Sequence, residues 1–520
     1  MKLRKKLLAI AVSAACVAPA WAADDDRARV EMLHETTLNL IQLLVGQGVL
    51  KQEAADALLA RAKQQAADRL AGQPAGTAPE KGVVRVTYVP ETVKREIREQ
   101  VRQEVVAQAK LERWGDVNAV PEWLDRLKWE GDIRLRYQGD LFAERNAPEA
   151  VFQSIGQNID NTLEDRHRER VRLRLALNAG VGPGVDAGVR IATGNTADPV
   201  STNQTLGTTG NKYSLVLDRA FLKLTPAEDL TLWGGRMPNP FFSSDLVWDD
   251  DLNFEGAAVR YAPGALDPQR AFRPFVTAGV FPLQEIQESL GSRGHDKWLY
   301  GAQAGLEWVL GTRARFRLGA AYYHYENVTG IRNPALNDTF NNPSAPQFRQ
   351  KGNSVFNIDN DGNNTTNLWA LASDFRIGNL SLVADFADFY PVHVIASLDW
   401  ARNFGFDRAA VLARSGQSLD GEVDGYQFRL TVGHPTFTYL EDHEWQAFAG
   451  YRYLERDAVL DAFTDSDFHL GGTNHKGYFI GGSYALFKNT WLSAKWMSSD
   501  EISGLPLSID VFQLDLNARF

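Results

Sequence analysis

The run Arg168-Glu169-Arg170-Val171-Arg172-Leu173-Arg174-Leu175-Ala176-Leu177-Asn178-Ala179-Gly180-Val181 decides the fold. Val171, Leu173, Leu175, Leu177 and Ala179 fall on one side of an extended chain, and Arg170, Arg172, Arg174 and Asn178 on the other. A pleated strand imposes this alternation, whereas a helix would scatter the arginines around its axis. The chain ends on the same pattern: Phe512, Leu514, Leu516, Ala518 and Phe520 alternate with Gln513, Asp515, Asn517 and Arg519.

Outward from this stretch, period two begins near Lys128 and holds to Phe520. Strands are predicted near 128–139, 168–181, 184–194, 214–225, 229–237, 252–262, 271–281, 297–309, 313–326, 366–377, 379–390, 421–433, 443–455, 474–487, 489–498 and 508–520. Tight connections (Gly182-Pro183, Pro226 to Glu228, Leu310 to Thr312, Gly378, Lys488) alternate with long polar ones, the longest being 327–365. Short turns at one end and long loops at the other characterise an up-and-down outer-membrane barrel, whereas a β-sandwich need not sort its connections this way. The expected fold is therefore an all-β transmembrane antiparallel barrel of 16 strands. If Val392 to Leu398 adds a strand and 404–414 another, the number is 18.

Lipid requires closure, because the edge amides of an open sheet would stay unpaired at several kcal/mol each. Aromatic residues near the expected strand ends, among them Trp233, Tyr261, Tyr300, Trp308, Tyr322, Trp369, Trp445, Tyr451, Tyr478, Tyr484, Trp491 and Trp496, suit the two interfacial girdles of such a barrel. Composition excludes other classes. The 520 residues are rich in Gly (43), Phe (27), Tyr (15) and Trp (13) but hold one Cys. Their mean hydropathy of −0.30 rules out a bundle of spanning helices.

The N-terminus reads as a separate region. Basic Lys2, Arg4, Lys5 and Lys6, an apolar run from Leu7 to Val17 and Ala20-Trp21-Ala22 form a signal peptide over 1–22. Its removal would take the only cysteine, Cys16, and shift the net charge from −10 to −14, which argues against nucleic acid as a partner. Helical spacing around Gly46-Gln47-Gly48 predicts a helical hairpin within 23–71, followed by a Gly/Pro-rich linker over 72–90. Within 91–127, Val93, Ile97, Val101 and Val105 form a narrow apolar seam on a charged helix. That seam suits a coiled coil, or a solvated helix packed on its own domain; three turns do not separate the two. Residues 128–520 are the barrel.

If apolar positions face lipid, their neighbours face the pore, because a charge at the lipid midplane costs about 2–4 kcal/mol. The predicted pore lining is Arg134, Arg136, Arg170, Arg172, Arg174, Arg190, Arg219, Lys223, Arg315, Arg317, Arg376, Arg429, Arg452, Lys495 and Arg519, together with Asp132, Asp186, Asp385, Glu444 and Asp515. Asp249-Asp250-Asp251, Asp359, Asp361, Asp465 and Asp467 are assigned to external loops, which would reconcile an acidic protein with a basic channel. Clustered guanidinium groups in a narrow aqueous space attract small anions.

The third long connection lies in Gly235-Arg236-Met237-Pro238-Asn239-Pro240-Phe241-Phe242-Ser243-Ser244-Asp245-Leu246-Val247-Trp248-Asp249-Asp250-Asp251-Leu252-Asn253-Phe254-Glu255-Gly256. Prolines fix its backbone and aromatics can anchor it to the wall, so it is expected to fold inward as a constriction carried by Arg236, Pro238, Asn239, Phe241, Phe242, Asp245, Trp248, Asp249, Asp250 and Asp251. The alternative is an ordinary surface loop.

This segment, Leu43-Leu44-Val45-Gly46-Gln47-Gly48-Val49-Leu50 with Gln52-Glu53-Ala54-Ala55-Asp56-Ala57-Leu58-Leu59, and Trp123-Leu124-Asp125-Arg126-Leu127-Lys128-Trp129-Glu130-Gly131-Asp132-Ile133-Arg134-Leu135-Arg136-Tyr137 together resemble the putative porin family of Gram-negative bacteria. The resemblance implies an outer-membrane barrel with a periplasmic α-helical extension, often trimeric in related porins, and it supplies no substrate. The terminal strand ending on Phe520 is similar to the signal that outer-membrane assembly machinery recognises. Lipid and lipopolysaccharide are the expected surroundings.

No zinc-type histidine pair, nucleophile elbow or phosphate loop stands in the sequence, and Asp359-Asn360-Asp361-Gly362-Asn363 lacks the closing Glu of a calcium loop, so it reads as a turn. Neither metal, cofactor nor enzymatic turnover is expected. The expected function is passive diffusion of small hydrophilic solutes with an anion bias. The alternative is a structural or adhesive barrel acting through its loops and helices.

Overall fold

The computed structural model describes residues 124–520 except 268, 336–338, 363–365, 436–440 and 442. The expectations for the leader, the helical hairpin, the linker and nearly all of the charged helix lie outside the described residues. Leu124–Arg126 form a single 3-10 turn that leads into the first strand.

A closed antiparallel barrel of 16 strands follows. Its first half is β1 (Leu127–Phe142), β2 (Arg166–Gly182), β3 (Val185–Thr193), β4 (Leu215–Ala227), β5 (Leu230–Pro238), β6 (Asn253–Tyr261), β7 (Phe272–Gln284) and β8 (Lys297–Leu310). The second half is β9 (Ala314–Glu326), β10 (Arg376–Phe389), β11 (Val392–Asn403), β12 (Asp424–Gly433), β13 (Trp445–Leu454), β14 (His475–Phe487), β15 (Thr490–Glu501) and β16 (Ser508–Arg519). Each strand pairs with the next, and β1 closes on β16 from Asp132–Arg519 to Phe142–Ile509. The seam ends with Gly131 and Phe520 exchanging backbone hydrogen bonds of 2.8 and 2.9 Å. The Phe520 ring lies on Gly131, where a Cβ would meet it at 2.4 Å, so only glycine leaves room for that ring.

The alternation acts as expected. On β1 and β2, Ile133 stands opposite Leu173 and Leu135 opposite Val171, with Ile133 and Leu135 exposed on the outer face. Leu222, Leu382, Leu430 and Leu516 continue this exposed apolar belt around the wall. In water such a belt would drive aggregation, and against acyl chains it is the required surface. Tyr261, Tyr300, Trp308, Tyr322, Trp445, Tyr451, Tyr478 and Tyr484 are exposed on the same face. Three aromatics expected in the girdles lie elsewhere: Trp233 packs on the interior cluster, Trp369 stands in a loop hairpin, and Trp491 lines an interior cavity.

One part of the strand prediction is displaced. The segment 366–377 is not a wall strand; Trp369–Leu371 instead form a two-stranded hairpin with Val355–Asn357 inside the connection 327–375. The wall strand in its place is β11, expected only as an addition at Val392 to Leu398, and the tight turn falls at Tyr390-Pro391 while Gly378 lies within β10. The second strand of the 18-strand alternative is instead a short helix, Arg408–Ser415, capped by the Asp407 carboxylate on the amides of Ala409 and Ala410.

The interior is packed at the long-loop end. Connections L3 (239–252), L5 (327–375) and L7 (455–474) turn inward, and Leu246, Trp248, Phe375, Val459 and Leu460 join Phe254, Phe281, Leu299, Tyr323 and Tyr325 of the wall in one buried cluster. Buried Lys351 of L5 donates to the carbonyls of His469 and Gly471 of L7, both at 2.7 Å, and fastens the two loops together. Among the described residues, no helix is long and apolar enough to cross a membrane.

Candidate functional site: the charged lumen

The arginine rows of β1 to β4 meet in register. Arg134 faces Arg172, Arg136 faces Arg170, and Arg190 faces Arg219. Like charges directly opposite destabilise a sheet, so carboxylates are needed between them. Asp132 takes Arg172 at 2.9 Å and Arg174 at 2.8 Å, Asp515 takes Arg136 at 2.8 Å, and Asp218 takes Arg190. The sequence reading missed Asp218. The register slips between Arg190 and Ile191, so a bulge turns Asp218 and Arg219 both inward, which strict alternation forbids. Arg219 donates to Asn253 at 2.6 Å, and Lys223 lies 3.6 Å from Asp186.

Around the rest of the wall, Arg315 pairs with Glu307 at 2.6 Å, and Arg317 stands over the Phe242 ring at 4.1 Å. Arg429 covers Phe448 at 4.0 Å, Lys495 lies 5.8 Å from the Phe479 ring, and Arg519 is 3.8 Å from Glu130. Arg452, 1% exposed, binds Asp245 of L3 at 2.9 Å and Asp465 of L7 at 2.7 Å. Arg376 corrects the predicted lining. On β10 the inward positions are Ile377, Asn379 and Ser381, whereas Arg376 shares the outward parity of Leu380 and Leu382 and pairs at the rim with Asp374. Its misplacement follows from the misplaced strand.

L3 crosses the lumen. It leaves β5 through an Asx turn in which Asn239 accepts the Phe241 amide, and Phe241 then packs edge-on against Phe254, Phe281 and Tyr323. Gln303 of β8 clamps Phe242 by both its amide and its carbonyl, at 2.8 and 2.6 Å. Further on, the Ser244 amide donates to Asp399 of β11, and Asp245 reaches Gln427 of β12 beside Arg452 of β13. These strands lie across the barrel from β5 and β6. The returning limb carries Trp248, packed against Phe254 and Tyr323, and Asp251, bound to Arg174 at 3.0 Å and to Thr202. Arg236 and Pro238 belong to β5 and not to the loop; Arg236 pairs with Glu255 at the edge of the wall.

The acidic loops are therefore not all external. Asp249, Asp251, Asp465 and Asp467 lie inside, with Asp467 on Arg136 at 3.1 Å and Asp249 accepting the Ser466 amide at 2.9 Å. Burial opposes ionisation of Asp467, yet Arg136, Lys495 and Arg134 outweigh it and hold this carboxyl well below its usual range. Burial likewise opposes Asp251, and Arg172 with Arg174 brings it below normal. Asp249 goes the other way: burial, reinforced by Asp465 and Asp251, raises it well above the carboxylate range. Asp250 alone of the three is exposed. Among the described residues no cluster of His, Cys, Asp and Glu is arranged to hold a metal ion.

Two cavities lined mostly by polar and charged side chains lie in the lumen. One of about 320 Å3, toward the short-turn end, is bounded by Arg172, Arg174, Arg190, Arg219 and Arg519 against Glu130 and Asp132. Another of about 250 Å3 joins Arg136, Arg429 and Lys495 to Asp467 and Asp515. A larger cavity of about 910 Å3 lies at the loop end.

A closed 16-strand antiparallel wall, apolar outside and charged inside, with one loop folded across the lumen, defines a porin-type channel fold. The chain belongs to the family described as putative porin, whose model matches residues 34–520. Family and fold together give an outer-membrane location. The outer membrane channel DcaP of Acinetobacter baumannii is similar at 13% identity and a TM-score of 0.39, over 76% of this chain and 97% of that one. Pseudomonas putida OprB is similar at 11% identity and a TM-score of 0.44, over 78% and 96%. Salmonella typhi OmpF, solved with daunomycin, is similar at 12% identity and a TM-score of 0.41, over 76% and 97%. No curated protein matches the chain.

Proposed function

We propose that the protein is a diffusion porin that passes small hydrophilic solutes without chemical turnover and favours anions. The observation that carries the bias is the excess of guanidinium over carboxylate around the cavity of about 320 Å3, where Arg172, Arg174, Arg190, Arg219 and Arg519 stand against Glu130 and Asp132. In a narrow space walled by low dielectric, such an excess raises the local anion concentration and excludes cations. Under this reading the inward arginines and lysines of the wall line the path, and L3, from Asn239 to Asp251, narrows it. Phe520, placed at the closing seam, serves as the assembly signal for the machinery that inserts barrels. The exposed apolar belt meets membrane lipid and lipopolysaccharide. A homotrimer with the N-terminal helices in the periplasm completes the proposal.

Planar-bilayer recording tests it. Purified protein is expected to give discrete conductance steps and, across a tenfold KCl gradient, a zero-current potential of the sign set by chloride. A non-conducting protein overturns the channel; a potential of the potassium sign overturns the bias.

A further inference from the structure

The cavity of about 910 Å3 differs in kind from the two below it. One side of it is aromatic and apolar, with Trp248 of L3 and Phe463 of L7 facing Phe254, Phe281 and Leu299 of β6 to β8, and polar and charged side chains complete its lining. Its size is that of a ligand pocket, for which roughly 300–1,000 Å3 is the usual range.

It also breaches the wall. The β4–β5 ladder stops at Ala220–Arg236 and the β6–β7 ladder at Ala257–Val280, although β4 continues up to Leu215 and β7 to Gln284. Because L3 turns inward, the β5–β6 hairpin stands lower than its neighbours and leaves a notch. Leu215 and Leu217, both exposed on the outer face, border the same cavity as buried Trp248. An apolar solute thus meets a continuous surface from the outside of the wall to the plug.

The charges of the cavity single out one group. Asp218 is occupied by Arg190 and Asn253, Glu255 by Arg236, and Asp198 accepts the Val200 amide. Asp461 lies in the field of Arg349, which itself donates to the Gly156 carbonyl. Lys297 is left over. It is 4% exposed, its ammonium donates to the Ala345 carbonyl at 2.7 Å, and among the described residues no carboxylate pairs with it. A buried ammonium normally has an anion beside it, because burial without one is costly. Lys297 stands opposite Gln284 in the ladder, two positions from Leu299, whose own partner is Phe281. The ammonium is therefore one pleat above an aromatic floor.

We infer that this cavity is a binding site for arylalkyl monocarboxylates, which place the carboxylate on Lys297 and the apolar body against Trp248, Phe254 and Phe281. The inference deepens the porin reading and rests on it, since it names a solute class that the channel retains on its way through.

The test uses the purified full chain in detergent micelles, with calorimetric titration of 4-phenylbutyrate, 4-phenylbutan-1-ol and butyrate. Phenylbutyrate is expected to bind roughly ten- to a hundredfold more tightly than the alcohol, the range of one charge-assisted hydrogen bond, and butyrate more weakly still. Lys297→Met is expected to bring the acid down to the affinity of the alcohol, and Lys297→Arg to restore most of the difference. Equal affinity for acid and alcohol in the unmodified protein, or an unchanged acid affinity in Lys297→Met, overturns the site. KCl conductance of the same preparation reports separately on the channel: conductance without phenylbutyrate binding defeats the site alone, and binding without conductance defeats the porin reading.

Discussion

Arg452 shows how single side chains hold the lumen in shape. It is fully enclosed and joins L3 to L7 through Asp245 and Asp465. Removing one member of such a set strands the others, at about 3–5 kcal/mol. Arg452→Met is therefore expected to lower the thermal midpoint and increase open-channel noise, and adding Asp245→Asn and Asp465→Asn should recover part of the loss. An unchanged midpoint would show that the contacts are dispensable. Selectivity is argued from a different pair. Arg219 and Arg519 border the cavity of about 320 Å3, so the double variant Arg219→Ser, Arg519→Ser is expected to move the zero-current potential toward the potassium side by tens of percent. A shift in the opposite sense would reassign the bias to another part of the lumen.

At the scale of elements, L3 is the part whose removal speaks most clearly. Its tip is tied to Gln303, Asp399 and Gln427, so deleting residues 243–250 is expected to raise single-channel conductance roughly twofold or more, because the narrowest section dominates resistance. Conductance unchanged by the deletion would mean that the loop does not narrow the path. The wall strands were legible because lipid and water on opposite faces enforce period two. Legibility was partial at β11, weighed only as an added strand, where inward Ile395 among outward Val394 and Ala396 blurs the alternation. At the opposite end, loop packing makes part of the lumen apolar. The same packing gave Trp369 to Leu371 of L5 the look of a wall strand. The arginine rows could be read from local spacing alone. Their partners Asp251 and Asp467 could not, because those contacts join residues 77 and 331 positions apart, and polar loop composition does not say which way a loop folds.

The whole molecule couples a spanning wall to a plug of loops, and the plug responds to pH. Burial raises the carboxyls of Asp457 and Asp461 in L7 to about 6, with Ser354 partly offsetting it at Asp457 and Arg349 at Asp461. Both stand above an unfolded value of about 4, so the stability they contribute is complete below that pH and is lost as pH rises through 6, about 1–3 kcal/mol in order of magnitude for each. Asp245 and Asp467 are shifted downward, burial being outweighed at Asp245 by Arg452 and at Asp467 by Arg136, so their contribution fails only in stronger acid. Hydrogen-exchange protection of 455–474, taken relative to the intrinsic base-catalysed rate, is expected to fall from pH 4.5 to 7.5, and Asp461→Asn should flatten that change; protection that rises over this window would contradict it. The central claim is that the wall separates lipid from water residue by residue. Cys16 is the only cysteine of the sequence, so a Cys16→Ser chain offers a cysteine-free background. The direct measurement is single-cysteine substitution along β12, from Gln427 to Val432, with current recorded during exposure to a charged, water-soluble thiol reagent. Loss of current at 427, 429 and 431 with none at 428, 430 and 432 is the expected result. Modification at every position, or only at the latter three, would contradict a water-filled barrel.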